Sequence, residues 1–182
     1  MKTIKVEITG ITPILLHKFS QEDQAQIEKG TSRTGRRPTK EEAAEAAAYR
    51  LRSGNLGFPG ENVKAAIRRA AAFRRIGRRS AVPAFSGGVF ILPEMLNFDV
   101  RDYVIDERSV VIKATRGRIM RYRPRLDNWK LCFSIQYDET LLPSDSLIRD
   151  VLADAGAKVG IGDFRPEKGG WFGRFVISCW QA

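Results

Sequence analysis

The sequence predicts an α+β domain, and three observations carry that expectation. Residues 3–9 alternate Ile4, Val6 and Ile8 with Lys5 and Glu7, and residues 129–137 and 175–180 repeat this strand period. Two stripes at helical spacing separate them: Val63, Ile67, Ala70 and Ala71, then Leu147, Ile148, Val151, Leu152 and Ala155. With residues 109–115 read as a further strand, the order becomes strand, helix, strand, strand, helix, strand. That is the split βαβ arrangement of ferredoxin-like and RNA-recognition domains, an antiparallel sheet with two backing helices. A chain of 182 residues with 43% hydrophobic residues suits one such domain over 1–182, with basic insertions, and is too short for two.

Taken in order, Gly10 ends the first strand. ITPILLH (11–17) is interrupted by Pro13, which cannot donate to a ladder and so belongs at a bulge or a sheet edge. A first excursion spans about 18–57. Its residues 18–38 are polar, end in Arg33, Arg36 and Arg37, and read as mobile; Thr39 and Glu42 then form a capping box before an alanine-rich helix to Leu51. Phe58-Pro59-Gly60 reads as a turn, and Glu61 opens a helix to about Arg75 with Lys64, Arg68 and Arg75 off its apolar stripe. Residues 76–107 read as a second, irregular excursion with room for short strands, because Pro83, Gly87-Gly88 and Pro93 break its apolar patches. The strands at 109–115 and 129–137 flank an arginine-rich arm at 116–128, on which Arg121, Arg123 and Arg125 share one face when extended. Unopposed arginines repel, so the arm is expected to order only on a ligand. Ser144 is the expected cap of the second helix and Gly156 its stop.

Charge points to a polyanion. Lysine and arginine total 31 against 21 acids, for a net charge of +10 and a pI near 10.0. Residues 64–79 hold seven basic residues and no acid, and residues 116–125 hold five arginines and no acid. Those windows together exceed the net charge of the whole chain, a segregation expected of a binding track. Cys132 and Cys179 lack any CxxC or histidine partner and read as small buried hydrophobes. Asp99, Asp102, Asp106 and Glu107 lack ligand spacing and read as surface acids, so no metal or other cofactor is expected. With no signal peptide and no apolar run of about eighteen residues, the expectation is a soluble, cytoplasmic protein without a membrane partner.

The densest signal lies at 159–180, VGIGDFRPEKGGWFGRFVISCW, since six of the sixteen glycines fall at 156–173. Glycine serves where φ is positive or a backbone comes close, and glycines mixed with Asp163, Arg165, Lys168 and Arg174 suit phosphates. Read blandly, the loop only reverses the chain. Gly160-Ile-Gly162 is not a dinucleotide loop, because Pro166 and a strand follow instead of a helix, and no GxxxxGK[ST] occurs. The stretch reads as a looped hairpin closing the sheet, with Phe175, Ile177 and Cys179 alternating against Val176, Ser178 and Trp180.

FPGENVKAAIRRA (58–70) resembles the IPGSSLKGALR element of the RAMP superfamily, and GIGDFRPEKGGWFGRF (160–175) resembles its carboxy-terminal glycine-rich loop. The resemblance is closest to backbone subunits of CRISPR effector complexes, and the short chain fits a reduced or virus-borne relative. It implies polymerisation along a guide RNA through an arginine-bearing helix, an extended arm and the glycine loop. Lys64 and Arg68 match the first motif; Gly160, Gly162 and Gly173 match the second. Serines of the first motif are replaced by Glu61 and Asn62, and the excursion offers only Asp23, without the pattern around the catalytic aspartate of the target-cleaving branch.

The expected function is non-enzymatic binding of single-stranded nucleic acid, RNA before single-stranded DNA, by copies assembled side by side, with other effector subunits as further partners. The expected contacts are Lys64, Arg68, Arg69, Arg75, Arg116, Arg118, Arg121, Arg123, Arg125, Gly160, Gly162, Arg165, Lys168, Gly173 and Arg174. Two alternatives stand beside it: a metal-independent ribonuclease using His17, the only histidine, and an inhibitory or structural mimic of a backbone subunit.

Overall fold

The computed structural model describes residues 1–18, 38–111 and 117–181, so the polar stretch with Asp23, Arg33, Arg36 and Arg37 lies outside the described residues. Its main sheet comprises β1 (Lys2–Gly10), β6 (Val89–Leu92), β10 (Lys130–Tyr137) and β11 (Phe175–Gln181), all antiparallel, in the order β11-β1-β10-β6. Helix α2 (Gly60–Ala70) falls between β1 and β6, and α4 (Asp145–Asp154) between β10 and β11. The fold is α+β with the ferredoxin-like strand order expected. The second core strand is not the one expected, however: it is β6, inside the supposed excursion at 76–107.

One sheet face is apolar by alternation. Ile4, Val6 and Ile8, Leu131, Phe133 and Ile135, and Val89 and Ile91 are buried there with Val63, Ala66, Ile67 and Ala70 of α2 and Ile148, Val151 and Leu152 of α4. Ser144 precedes α4 without capping it through its hydroxyl, which turns to Ser146. Nor does Gly156 stop the helix. A π turn at Ala155–Val159 carries it to Gly160, where φ is 73°. Gly156 is needed because a Cβ would lie 2.2 Å from the Phe175 carbonyl oxygen.

The other sheet face is open, and it holds both cysteines. Cys132 alternates away from Leu131 and Phe133, while a bulge between β1 and β11 pairs Ile8 with Ile177 but Glu7 with Cys179. One extra residue flips the later side chains, so Trp180 turns inward and Cys179 outward, contrary to the buried reading of both thiols. β11 also has no hairpin partner in the glycine loop; it pairs with β1, as an edge.

The remaining elements brace the site. Phe58 is not in a turn: β3 (Gly57–Pro59) pairs with β7 (Met95–Asn97) and feeds straight into α2. From Phe58, edge-to-face aromatic contacts run through Phe98 and Trp129 to Phe175, at centroid spacings of 6.0, 6.2 and 6.4 Å. Helix α1 (Lys40–Ala46) starts with the expected Thr39–Glu42 capping box but ends short of Leu51. Between α2 and β6 lie the two-residue pair β4 (Arg75–Ile76) and β5 (Arg79–Ser80), then α3 (Val82–Gly88). β2 (Ile14–Leu15), β9 (Arg118–Leu126) and β8 (Val104–Val111) form a second sheet in the order β2-β9-β8, with β2 at the edge as Pro13 implied. The arginine-rich arm is therefore a paired strand along most of its length. Its hydrogen-bonded ladder and buried Pro124 and Leu126 outweigh the charge repulsion expected to keep it loose.

Candidate nucleic-acid interface

Three basic elements meet: the β8–β9 hairpin, the glycine loop and helix α2. The β8–β9 hairpin comes first. Arg121, Arg123 and Arg125 do share a strand face, but their surroundings differ sharply. Arg123 is 3% exposed; its guanidinium donates to Asp163 at 2.5 Å and lies 3.7 Å from Asp106, directly opposite it on β8. Asp106 is itself buried, not a surface acid, and also accepts both-oxygen contacts at 2.9 Å from Arg108. Arg123 therefore belongs to a buried network and is not a free phosphate contact. Burial would raise the Asp163 carboxyl, yet the hydrogen bond and charge of Arg123 more than reverse this and hold it below the usual carboxylate range. Arg125 pairs with Asp127 at 2.6 Å, and Arg118 is exposed. Arg116 lies outside the described residues.

The glycine loop, 160–174, comes second. Gly160, Gly162 and Gly173 have φ of 73°, 78° and 67°. A Cβ on Gly173 would lie 1.7 Å from the Ile161 carbonyl oxygen, and one on Gly162 2.7 Å from that of Leu15. The loop is folded onto residues 13–15, where Asp163 N–H donates to Leu15 and Gly173 N–H to Pro13, while Gly160 N–H donates back to Ala155 in the π turn. This limits the expectation that the loop glycines contact phosphate. The Gly160 and Gly173 donors are already engaged by carbonyls, so the loop presents side chains instead. Lys168 is exposed and Arg174 half-buried, whereas Arg165 donates to Glu167 at 2.8 and 3.0 Å and to the Gly162 carbonyl at 3.0 Å. Burial, then the charge of Arg69, lowers the Arg165 guanidinium from its ordinary value.

Helix α2 is the third element. Arg69 bonds to the same Glu167, so one carboxylate clamps helix to loop, as Asp163 clamps loop to hairpin. Arg68 and Arg75 are exposed, and Lys64 lies 4.5 Å over the Phe90 ring. A cleft of about 280 Å³ opens where the parts join, lined by His17, Tyr49, Asn62, Asp163, Arg165 and the backbone from Gly160 to Gly162. Arg121 Nη1 approaches His17 Nε2 at 3.2 Å, and the Tyr49 hydroxyl donates to the His17 carbonyl at 3.4 Å. Burial raises the Tyr49 phenol above its ordinary value. Tyr49 and Glu167 had no part in the expected site, Asn62 entered only as a motif replacement, and Asp106 and Asp163 were read as a surface acid and a loop residue, not as clamps; the Asp106-x-Arg108 spacing, two residues on one face of β8, is the local signal for one of these pairings.

No protein-family model matches this sequence, and no curated protein does. Solved structures do match. One is a chain of the Type III-B Cmr-beta complex bound to cognate target RNA, with a TM-score of 0.50 and 13% identity. This chain is similar to it in fold. The match covers 98% of this chain and 59% of the other, so this chain spans about three-fifths of the neighbour's length. Among the described residues, no helix is long and apolar enough to cross a membrane.

Proposed function

We propose that this chain is a RAMP-type subunit that binds single-stranded RNA without cleaving it, as copies standing side by side along the strand. The observation that carries the reading is the clamping of hairpin, glycine loop and helix α2 by Asp163 and Glu167. It gathers Arg68, Arg118 and Lys168, all exposed, onto elements held rigidly to one another. Such a surface tracks a sugar-phosphate backbone without reading bases. The fold-level likeness to a chain from an RNA-bound effector complex supports RNA over DNA. The test is fluorescence anisotropy with labelled homopolymers across a salt series. Affinity should fall with a log–log slope of about −0.7 per phosphate contact, and Lys64→Ala with Arg68→Ala should flatten it. A response independent of salt would sink the track.

A second reading draws on His17 and Tyr49 sharing the cleft, an arrangement suited to proton transfer in RNA cleavage. Against it, a guanidinium only donates, so the Arg121 contact occupies the Nε2 lone pair that a general base would use. Incubating labelled RNA with wild type and His17→Ala separates the two. Cleavage lost in the variant would replace the binding-only reading.

A further inference from the structure

We propose that Trp171 and Phe164 form a stacking platform for one unpaired nucleobase, an inference that rests on the nucleic-acid reading above. Three aromatic rings cluster on the glycine loop. Phe172 is fully buried, and Trp171, 52% exposed, and Phe164, 40% exposed, both pack against it. Their centroids lie 4.9 and 6.3 Å from that of Phe172, with tilts of 44° and 41°. A loop that only reversed the chain would need the buried ring and not the two exposed ones.

The backbone at Phe164 is held in place, and Trp171 packs on the buried Phe172. Phe164 has a φ of 49°, which a bulky residue adopts only when its surroundings impose it. Here the Phe164 N–H donates to the Asp163 carboxylate at 2.9 Å, and its carbonyl accepts from Phe172 N–H at 3.3 Å. Gly170 passes so near that a Cβ there would lie 1.7 Å from the Phe164 carbonyl oxygen. Arg108, anchored on Asp106, places its guanidinium 4.6 Å from the Phe172 centroid and braces the cluster. Preorganised rings lose little freedom on stacking a base.

The occupant follows from charge. The rings share their loop with the exposed Lys168 and the half-buried Arg174, while the loop acids Asp163 and Glu167 are taken up by Arg123, Arg165 and Arg69, on a molecule of net charge +10. An aromatic face beside cations fits a base joined to phosphates better than an apolar peptide, and every base offers a face to stack.

The experiment compares a short fluorescein-labelled oligo(rA) with the same strand carrying abasic residues, against wild type, Trp171→Ala, Trp171→Phe and Phe164→Ala. Melting curves check that each variant folds. Wild type should bind the abasic strand about fivefold or more weakly, and Trp171→Ala should lose that discrimination. Trp171→Phe should regain most of it. Equal affinity of wild type for both strands would overturn the platform and leave phosphate binding intact. Failure of wild type to bind either strand would overturn the nucleic-acid reading itself, and the platform with it. A Trp171→Ala effect confined to light-scattering mass, with affinity unchanged, would make the rings a contact between copies and refute base stacking.

Discussion

Replacing Arg123 by alanine should destabilise the protein, although its position in an arginine-rich arm suggests a dispensable surface charge. The guanidinium is 3% exposed and faces two carboxylates, Asp163 at 2.5 Å and Asp106 at 3.7 Å. After truncation Asp106 keeps its two contacts with Arg108, whereas Asp163, among the described residues, keeps the Phe164 N–H as hydrogen-bond donor and the nearby His17, beside a vacated space. Removing one partner of a buried pair costs about 3–5 kcal/mol. The Asp163 side chain is 31% exposed, so water relieves part of this, and the lower end, about 3 kcal/mol, is expected. For a domain of this size that lowers Tm by roughly 6–12 °C. Thermal denaturation followed by circular dichroism reads the shift. Arg118→Ala, at an exposed position, is the control and should stay within about 0.5 kcal/mol of wild type. Asp163→Asn should make the loss at Arg123 smaller, because the uncompensated charge is then absent. A Tm for Arg123→Ala within about 2 °C of wild type would refute the buried clamp and return Arg123 to the ligand surface.

Acid should release the same clamp. The Asp163 carboxyl is depressed in the folded state, so its contribution is complete above the unfolded value of about 3.9 and is lost as pH falls below that; Tm measured against pH should drop there, and less steeply in Asp163→Asn. Two glycine substitutions should separate backbone strain from collision. Gly169→Ala has open space around it and only a positive φ to overcome, costing about 1–2 kcal/mol, whereas Gly173→Ala also meets the Ile161 carbonyl and should cost distinctly more in denaturant titrations. Both thiols should react with a maleimide in the folded protein. Cys132 should be the slower at neutral pH, because burial and then Glu7 raise it, and Glu7→Gln should speed it; protection of both cysteines would contradict the open sheet face. Assembly should follow ligand length, with light-scattering mass rising stepwise on longer strands, while a constant one-to-one complex would defeat the side-by-side arrangement.

Local sequence determined the period-two strands, both helix stripes, the Thr39 capping box and the edge placement of β2, because each depends on neighbours a few residues apart. The α+β class followed from their order alone. Tertiary structure decided which short apolar run completes the sheet: Val89–Leu92 is too short to outrank residues 109–115 by propensity, and only its pairing with β10 selects it. The outward turn of Cys179 likewise depended on one bulged residue, which no alternation rule foresees. For the site, the sequence marked where cations are dense but not which are available. Asp163 stands 40 residues from Arg123, and Glu167 98 residues from Arg69. Opposite charges that far apart in the chain carry no local signature of their pairing. Their neutralisation, and the set of basic side chains left for a ligand, therefore emerge only when the sheets bring hairpin, loop and helix together.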